Sequence, residues 1–164
     1  MAAAWLSRAT EGLPVHVRSR GMLDVETMPA LPEAVQEAAS LGLDLSSHRA
    51  RKLAGEDLSE EDLVLGFERT HVAVAVIEAG ARRERTFTLP ELVGLLAAID
   101  LPPDLEPIER ARAALRAAHE ARGAGHALLP EIADPIGRPR SAQRETATRL
   151  QELVSQLAAD LFGR

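Results

Sequence analysis

The sequence predicts an α/β fold, on the evidence of its length, its composition and the order of its apolar segments. The chain has 164 residues, and one domain commonly has roughly 100–200 residues. Apolar residues make up 46% and charged residues 27% of the chain, as in ordinary globular proteins. Helical patterns alternate with short apolar runs, which is typical of a sheet with parallel strands. We therefore expect residues 1–164 to form a single α/β domain.

The first third of the chain is predicted to hold two helices and a strand. Residues 1–9 are rich in strong helix formers and are followed by Gly12, so the first helix is expected there. Residues 15–19 alternate apolar and polar side chains, which is the period of a strand. Residues 33–40 carry apolar side chains at helical spacing, and Gly42 marks the end of this second helix.

The middle of the chain contains short strand patterns and one ambiguous segment. Residues 63–65 are an apolar run typical of a buried strand. Residues 68–79 are rich in β-branched side chains, which favours a strand, whereas the length and alanine content also fit a helix. Residues 85–88 suggest a further short strand. Residues 89–98, with a proline in the first turn, are predicted to be helical.

The last third is predicted to be two helices separated by a loop. Residues 107–122 form an Ala/Arg/Glu-rich helix whose thin apolar face indicates a surface position. Residues 128–140 contain three prolines and are expected to be a loop. Residues 145–161 have the leucine spacing of an amphipathic helix.

The composition also excludes several classes of function. The chain has no cysteine, which removes disulfides, thiolate metal sites and a cysteine nucleophile supplied by these residues. A net charge of −6 with 2% aromatic residues argues against a nucleic-acid partner. Five histidines without metal-ligand spacing predict no metal, and no dinucleotide or Walker motif predicts a cofactor. Without a transmembrane run or a secretory leader, no membrane association and a cytoplasmic location are expected.

Three segments, in order, resemble one family. Residues 43–51 read LDLSSHRAR, residues 62–71 read DLVLGFERTH, and Asp134 lies in an Ala-Asp-Pro sequence. Together they resemble the low-molecular-weight protein-tyrosine-phosphatases, which include arsenate reductase-like members. Residues 85–93 are similar to the variants of this family in high-GC bacteria. The resemblance implies a doubly wound parallel sheet and makes Asp134 the candidate general acid of an Asp-Pro loop.

The resemblance also identifies what these residues lack. The family signature, C-x5-R, forms a phosphate-binding loop between the first strand and the first helix, and this sequence begins at the counterpart of that helix. We therefore expect a domain that is truncated at its N-terminus, lacks the first strand and is inactive as it stands. Either the true start lies upstream, or the chain is poorly stable or self-associates through an unpaired strand edge.

The resemblance implies phosphomonoester hydrolysis through a phosphocysteine, without a cofactor, on a phosphorylated protein or a small phosphomonoester. The alternatives are a pseudophosphatase that acts as a binding or regulatory module and, with less support, an arsenate reductase. Ile136 follows the Asp-Pro pair where the family often has an aromatic residue, which argues against phosphotyrosine. His48 and His71 are interpreted as structural, and Arg138 and Arg140 as parts of a solvated loop.

Overall fold

The computed structural model describes residues 1–123 and 130–163. The chain divides into two compact units. Unit 1 comprises residues 1–56 and 133–155, and unit 2 comprises residues 57–132 and 156–164. The last helix, α6, spans Arg140–Phe162 and contributes to both units.

Unit 1 contains two short helices whose C-terminal ends are linked. Helix α1 spans Ala2–Ala9 and α2 spans Pro32–Ser40, each close to its predicted position. Trp5 is the buried residue of α1 and is 4% exposed. At the end of α1, Arg8 Nη1 donates a hydrogen bond of 2.9 Å to the carbonyl oxygen of Gly42, just beyond α2. Gly42 has a φ of +74°, a left-handed conformation that favours glycine.

The strand predicted over residues 15–19 is wrong. This segment is not part of any sheet in the described chain; the nearest pairing is a single parallel bridge between Gly21 and Lys52. Alternating side chains predict which residues can face a core, but a strand also requires a neighbouring backbone to accept and donate its hydrogen bonds. Among the described residues, 15–19 have no such ladder.

Unit 2 is built on a small parallel sheet. Strand β1 spans Val64–Gly66 and β2 spans Thr86–Thr88, both as predicted to within a residue, and Leu65 pairs with Phe87. All three residues of β2 are buried. A short 3-10 turn, Arg83–Arg85, leads directly into β2.

The ambiguous segment of unit 2 is a helix. Helix α3 spans Arg69–Ile77 and begins with a capping box between Glu68 and His71. Each of these side chains satisfies a backbone N–H that the first turn leaves without a helical partner. Gly66 precedes the cap, and a Cβ atom there would lie 2.8 Å from Cβ of His71. Only glycine fits this approach without a shift of the backbone.

Two further helices of unit 2 follow the predicted pattern. Helix α4 spans Leu89–Leu96, with a capping box between Thr88 and Glu91. Helix α5 spans Pro107–Ala121 and, as expected of a surface helix, buries only small residues, Ala114 and Ala118. The most completely buried large side chains of the unit come from β2, α4 and the end of α6: Phe87, Leu89, Leu92, Leu157 and Leu161.

The predicted loop over residues 128–140 begins outside the described residues, which exclude 128 and 129. From 130 to 139 the chain is non-helical, as expected. Helix α6 then starts at Arg140 rather than at Glu145. The backbone N–H of Ala142 bonds to the carbonyl oxygen of Pro139 at 2.9 Å, so the helix begins immediately after the last proline of the loop. In the described part of the chain, no helix is long and apolar enough to cross a membrane.

Candidate functional site

Asp134 lies in a turn of unit 1 that is closed by its own hydrogen bonds. Asp134 Oδ1 accepts a bond of 2.9 Å from the backbone N–H of Ile136, an arrangement typical of aspartate in turns. The N–H of Arg138 donates to the carbonyl oxygen of Pro135 at 3.0 Å, and Gly137 between them has a φ of +74°. The carboxylate is therefore oriented locally and lies exposed at the surface.

The helix that follows this turn is tied to α2. The Arg140 guanidinium donates to Oε1 of Gln36, and Arg144 Nε lies 3.3 Å from Oε2 of Glu37. The Glu37 side chain is 5% exposed, whereas that of Arg144 is 70% exposed. A buried carboxylate needs a partner to offset its lost hydration, so this pair fixes the first two turns of α6 against α2. The turn that carries Asp134 therefore leads into a helix, α6, whose first two turns are fixed by contacts with α2.

The two other arginines named from the sequence do not join Asp134 in an anion site. Arg138 and Arg140 are both exposed, and the Arg140 side chain donates a hydrogen bond to Gln36. Arg138 lies in the exposed turn, as its interpretation as part of a solvated loop predicts. For Arg140 that interpretation is wrong, because this residue begins helix α6.

The structural interpretation of His71 is confirmed. Its Nδ1 accepts hydrogen bonds from the backbone N–H groups of Phe67 at 3.2 Å and Glu68 at 3.3 Å. These bonds fix the tautomer with the proton on Nε2 and hold the entry to α3. The ring also meets the edge of Phe67, with centroids 6.4 Å apart. An imidazole engaged in this way is part of a helix cap.

His48 lies in a turn of unit 1, where its backbone N–H donates to the carbonyl oxygen of Leu45 at 3.1 Å. Partial burial lowers the pKa of its imidazole, and the positive charges of the N-terminal amine and Arg49 lower it further. These effects favour the neutral ring. Within residues 1–123 and 130–163, no group of three or more metal-ligating side chains could hold a metal ion.

Arg122 is a residue whose importance the sequence did not indicate. At the end of α5, its Nε lies 2.8 Å from Oε1 of Glu91, and its Cζ lies 3.8 Å from the centroid of the Phe87 ring. The same guanidinium donates to the carbonyl oxygens of Thr86 and Arg83. One side chain therefore links the end of α5 to β2, to the start of α4 and to the turn before β2. Its position next to glycines at a helix end gave no signal of this role.

The parallel strands of unit 2 and the helices of both units define an α/β protein. Residues 1–120 match the sequence model of the family described as low molecular weight phosphotyrosine protein phosphatase. The chain belongs to this family, which confirms the resemblance and the fold class predicted from the sequence. Asp134 lies outside the matched residues, so its catalytic role stays a prediction.

Individual relatives agree with this family. The chain is 26% identical over 151 residues to a protein-arginine-phosphatase of Bacillus subtilis, an alignment that covers 92% of this chain and 79% of that protein. Over 65 residues it is 42% identical to a probable low molecular weight protein-tyrosine-phosphatase, EpsP, of Ralstonia solanacearum, covering 40% of this chain and 43% of that one.

A solved structure is also similar. It is that of the low molecular weight protein tyrosine phosphatase from T. tengcongensis, with a TM-score of 0.68 and 26% identity. The comparison covers 95% of this chain and 86% of that chain.

Proposed function

We propose that this chain has the phosphomonoester-hydrolase scaffold of its family but that the 164 residues do not catalyse the reaction by themselves. The observation that carries this proposal is the absence of cysteine from the whole sequence. In the family reaction a cysteine thiolate attacks phosphorus, the P–O bond to the leaving group breaks, and a phosphocysteine forms. Any thiolate for this step would have to come from outside these residues.

The proposed role of Asp134 is that of the general acid. It would protonate the leaving oxygen as the P–O bond breaks, and its carboxylate would then take a proton from the water that attacks the phosphocysteine. Its exposure and its fixed turn support this role, because a general acid has to reach the leaving group in one orientation. Neither step proceeds before a nucleophile has attacked phosphorus.

The substrate class we propose for a complete catalytic form is a phosphorylated protein. The exposed residue after Asp134 and Pro135 is the aliphatic Ile136, which is 59% exposed. An aliphatic side chain offers no aromatic face for a phenyl ring, so phosphotyrosine is disfavoured. A relative named a protein-arginine-phosphatase supports phosphoarginine as an alternative to a phosphomonoester. In that case the bond that breaks is P–N, and Asp134 would protonate the leaving guanidine nitrogen instead of an oxygen.

A pseudophosphatase is the alternative from a different functional class. Such a protein would retain the scaffold as a binding or regulatory module, and the absence of cysteine supports it equally. Arsenate reduction is less well supported, since thiols carry that chemistry. We also propose a cytoplasmic location. Self-association through the edge of the small β1–β2 sheet would pair strand edges that have no further strand beside them among the described residues.

The decisive experiment is an assay of the purified chain with a small aryl phosphate across the acidic to neutral pH range. We expect no hydrolysis above the buffer blank, and the same background for the Asp134→Ala variant. Turnover that Asp134→Ala abolishes would refute the proposed inactivity, because it would reveal a nucleophile other than cysteine.

The general-acid role is tested separately in a longer form of the protein that carries a C-x5-R segment before residue 1. There, Asp134→Ala should lower kcat by about 10²–10⁴-fold. The matched control is Asp104→Ala, which removes an exposed carboxylate from a loop of unit 2 and should leave kcat unchanged. Equal rates for the wild-type protein and Asp134→Ala would exclude Asp134 as the acid.

A further inference from the structure

Residues 22–31 of unit 1, here called the apolar segment, expose an unusual number of large apolar side chains. In the described part of the chain, seven large apolar residues are exposed, and five of them lie in this segment. Scattered apolar residues on a surface are ordinary, but a contiguous group indicates an interaction site. The five are Met22, Leu23, Val25, Met28 and Leu31.

The apolar segment is held in place by backbone hydrogen bonds at both ends. At its start, the N–H of Gly21 donates to the carbonyl oxygen of Arg51, and the N–H of Leu53 donates to that of Gly21, both at 2.8 Å. Towards its end, the N–H of Thr27 donates to the carbonyl oxygen of Ala50, and the N–H of Ala50 donates to the carbonyl oxygen of Met28, both at 2.8 Å. Its side chains are therefore displayed by a fixed backbone.

The fixed backbone includes a strained residue. Thr27 has a φ of +60° and is the only residue other than glycine with a positive φ in the described chain. The left-handed conformation is unfavourable for a β-branched residue, and the hydrogen bond from Thr27 to Ala50 retains it. Backbone strain that the surrounding structure maintains is concentrated at binding and catalytic sites. The strain here lies at the centre of the exposed apolar group.

Cationic side chains border the apolar segment. Arg20 Nε lies 2.8 Å from Oε1 of Glu56, and Lys52 Nζ lies 3.3 Å from Oδ1 of Asp24. The pKa of the Glu56 carboxyl is lowered by the hydrogen bond from Arg20 and by the charges of Arg20, Arg18 and Arg51. More than one guanidinium therefore lies near this single carboxylate.

The charge of this region is opposite in sign to that of the chain. Residues 18–31 and 49–56 contain five arginines and lysines and three carboxylates, whereas the whole chain has a net charge of −6. An acidic partner is therefore repelled by the chain as a whole and attracted at this surface. Complementary charge of this kind selects a partner and its orientation.

We propose that the apolar segment and its cationic border form a docking surface for a protein segment whose apolar side chains are flanked by carboxylates. The apolar residues would be buried at the centre of the contact, and the arginines would pair with the partner's carboxylates at the rim. An anionic lipid surface fits less well, because its head groups form a continuous negative layer that would also lie against Asp24 and Glu26 within the apolar segment. The carboxylates of the proposed peptide flank its apolar residues, so they would meet the cationic border instead. This binding requires no catalysis.

The probes are three fluorescent peptides of equal length, measured by anisotropy with the purified chain. The first has leucine and phenylalanine flanked by glutamates, the second has lysines in place of the glutamates, and the third has serines in place of the apolar residues. We expect only the first to bind saturably, with an affinity that falls as salt is added. Equal binding of all three, or of none, would overturn the proposed docking surface.

Two variants and two matched controls locate the binding. Leu23→Ser and Arg51→Glu should each raise the Kd of the first peptide by roughly tenfold, and Arg51→Glu should also reduce its salt dependence. Ile77→Ser changes another exposed apolar residue, 81% exposed, and Arg116→Glu makes the same charge change on α5. Both controls should bind as the unmodified chain does, and all four variants should keep its thermal midpoint.

Two outcomes would assign the surface to a different occupant. Concentration-dependent sedimentation that Leu23→Ser abolishes would show that a second copy of the chain occupies it. Binding to phosphatidylserine vesicles that Leu23→Ser abolishes, without binding of the first peptide, would show a membrane contact. Either result would overturn the proposal of an acidic protein partner, and neither depends on the result of the aryl phosphate assay.

Discussion

Replacement of Arg122 by alanine should strongly destabilise unit 2. The substitution removes the ion pair with Glu91, the contact with the Phe87 ring and the bonds to the carbonyl oxygens of Thr86 and Arg83. The Phe87 side chain is fully buried, so its face cannot gain water contacts in compensation without a rearrangement of the core. The loss therefore affects β2 and α4 as well as the end of α5.

The magnitude follows from the burial of the pair. The side chains of Arg122 and Glu91 are 14% and 22% exposed, which places them closer to a buried pair than to a surface one. Removal of one partner of a buried pair costs about 3–5 kcal/mol. Glu91 retains a hydrogen bond from the backbone N–H of Thr88 at 3.1 Å, so we expect about 2 kcal/mol from the pair. Loss of the cation–π contact adds about 1 kcal/mol.

The assay is urea unfolding followed by circular dichroism. A loss of about 3 kcal/mol corresponds to a fall in the unfolding midpoint of about 1.5 M, for a slope of about 2 kcal/mol per molar urea. Arg122→Lys keeps the charge but loses the planar fork, so its midpoint should lie between those of the wild-type chain and Arg122→Ala.

The matched control is Arg116→Ala, which truncates an exposed arginine of the same helix. Its effect should stay within about 0.5 kcal/mol. Equal midpoints for Arg116→Ala and Arg122→Ala would refute the structural role of Arg122. An Arg122→Lys variant as stable as the wild-type chain would show that charge alone, rather than the geometry of the guanidinium, links the elements.

Two further predictions concern unit 2. Gly66→Ala places a Cβ atom 2.8 Å from Cβ of His71 and should lower the free energy of unfolding in urea by about 1–3 kcal/mol. Gly21→Ala is the control for added bulk, because its Cβ would lie 3.9 Å from the nearest atom. Equal unfolding midpoints for the two variants would contradict the close approach at Gly66. The backbone N–H of Arg69 is the main cause of the lowered pKa of Glu131, followed by the side chain of Arg69. A carboxyl whose pKa is lowered on folding contributes stability above its unfolded pKa and loses it as the pH falls through its folded pKa. The thermal midpoint of Glu131→Gln should therefore fall less steeply than that of the wild-type chain as the pH is lowered below 4.5, the usual pKa of glutamate. The same fall in both proteins would count against this linkage.

The helices could be predicted because their signals are local. Pro32 and Pro90 lie in first turns, and apolar residues repeat at helical spacing after each of them. The β-branched residues of the segment at 68–79 make it ambiguous between a strand and a helix. The capping box of Glu68 and His71 has the three-residue spacing of the motif but not its usual residues, which are Ser or Thr followed by Glu or Gln, so the sequence did not reveal it.

The features that could not be predicted depend on distant partners. Residues 15–19 have the alternation of a strand, but a strand forms only where another backbone segment lies beside it. Arg122 lies 31 residues from Glu91 and 36 from Thr86 along the sequence. The residues next to Arg122 in the sequence do not indicate either contact. The exposure of the apolar segment likewise depends on its hydrogen bonds to residues 50–53.

The conformation of the Asp-Pro turn is independent of any nucleophile. The turn is closed by bonds among residues 134–138, and the following helix is held by Arg144 and Glu37 of the same unit. The same turn would therefore form in an active phosphatase and in a binding protein of this family. What separates the two is whether a thiolate attacks phosphorus, so the Asp134→Ala variant should alter rates only in a form that carries the cysteine. An effect of Asp134→Ala on peptide docking, in contrast, would place the turn at the docking surface.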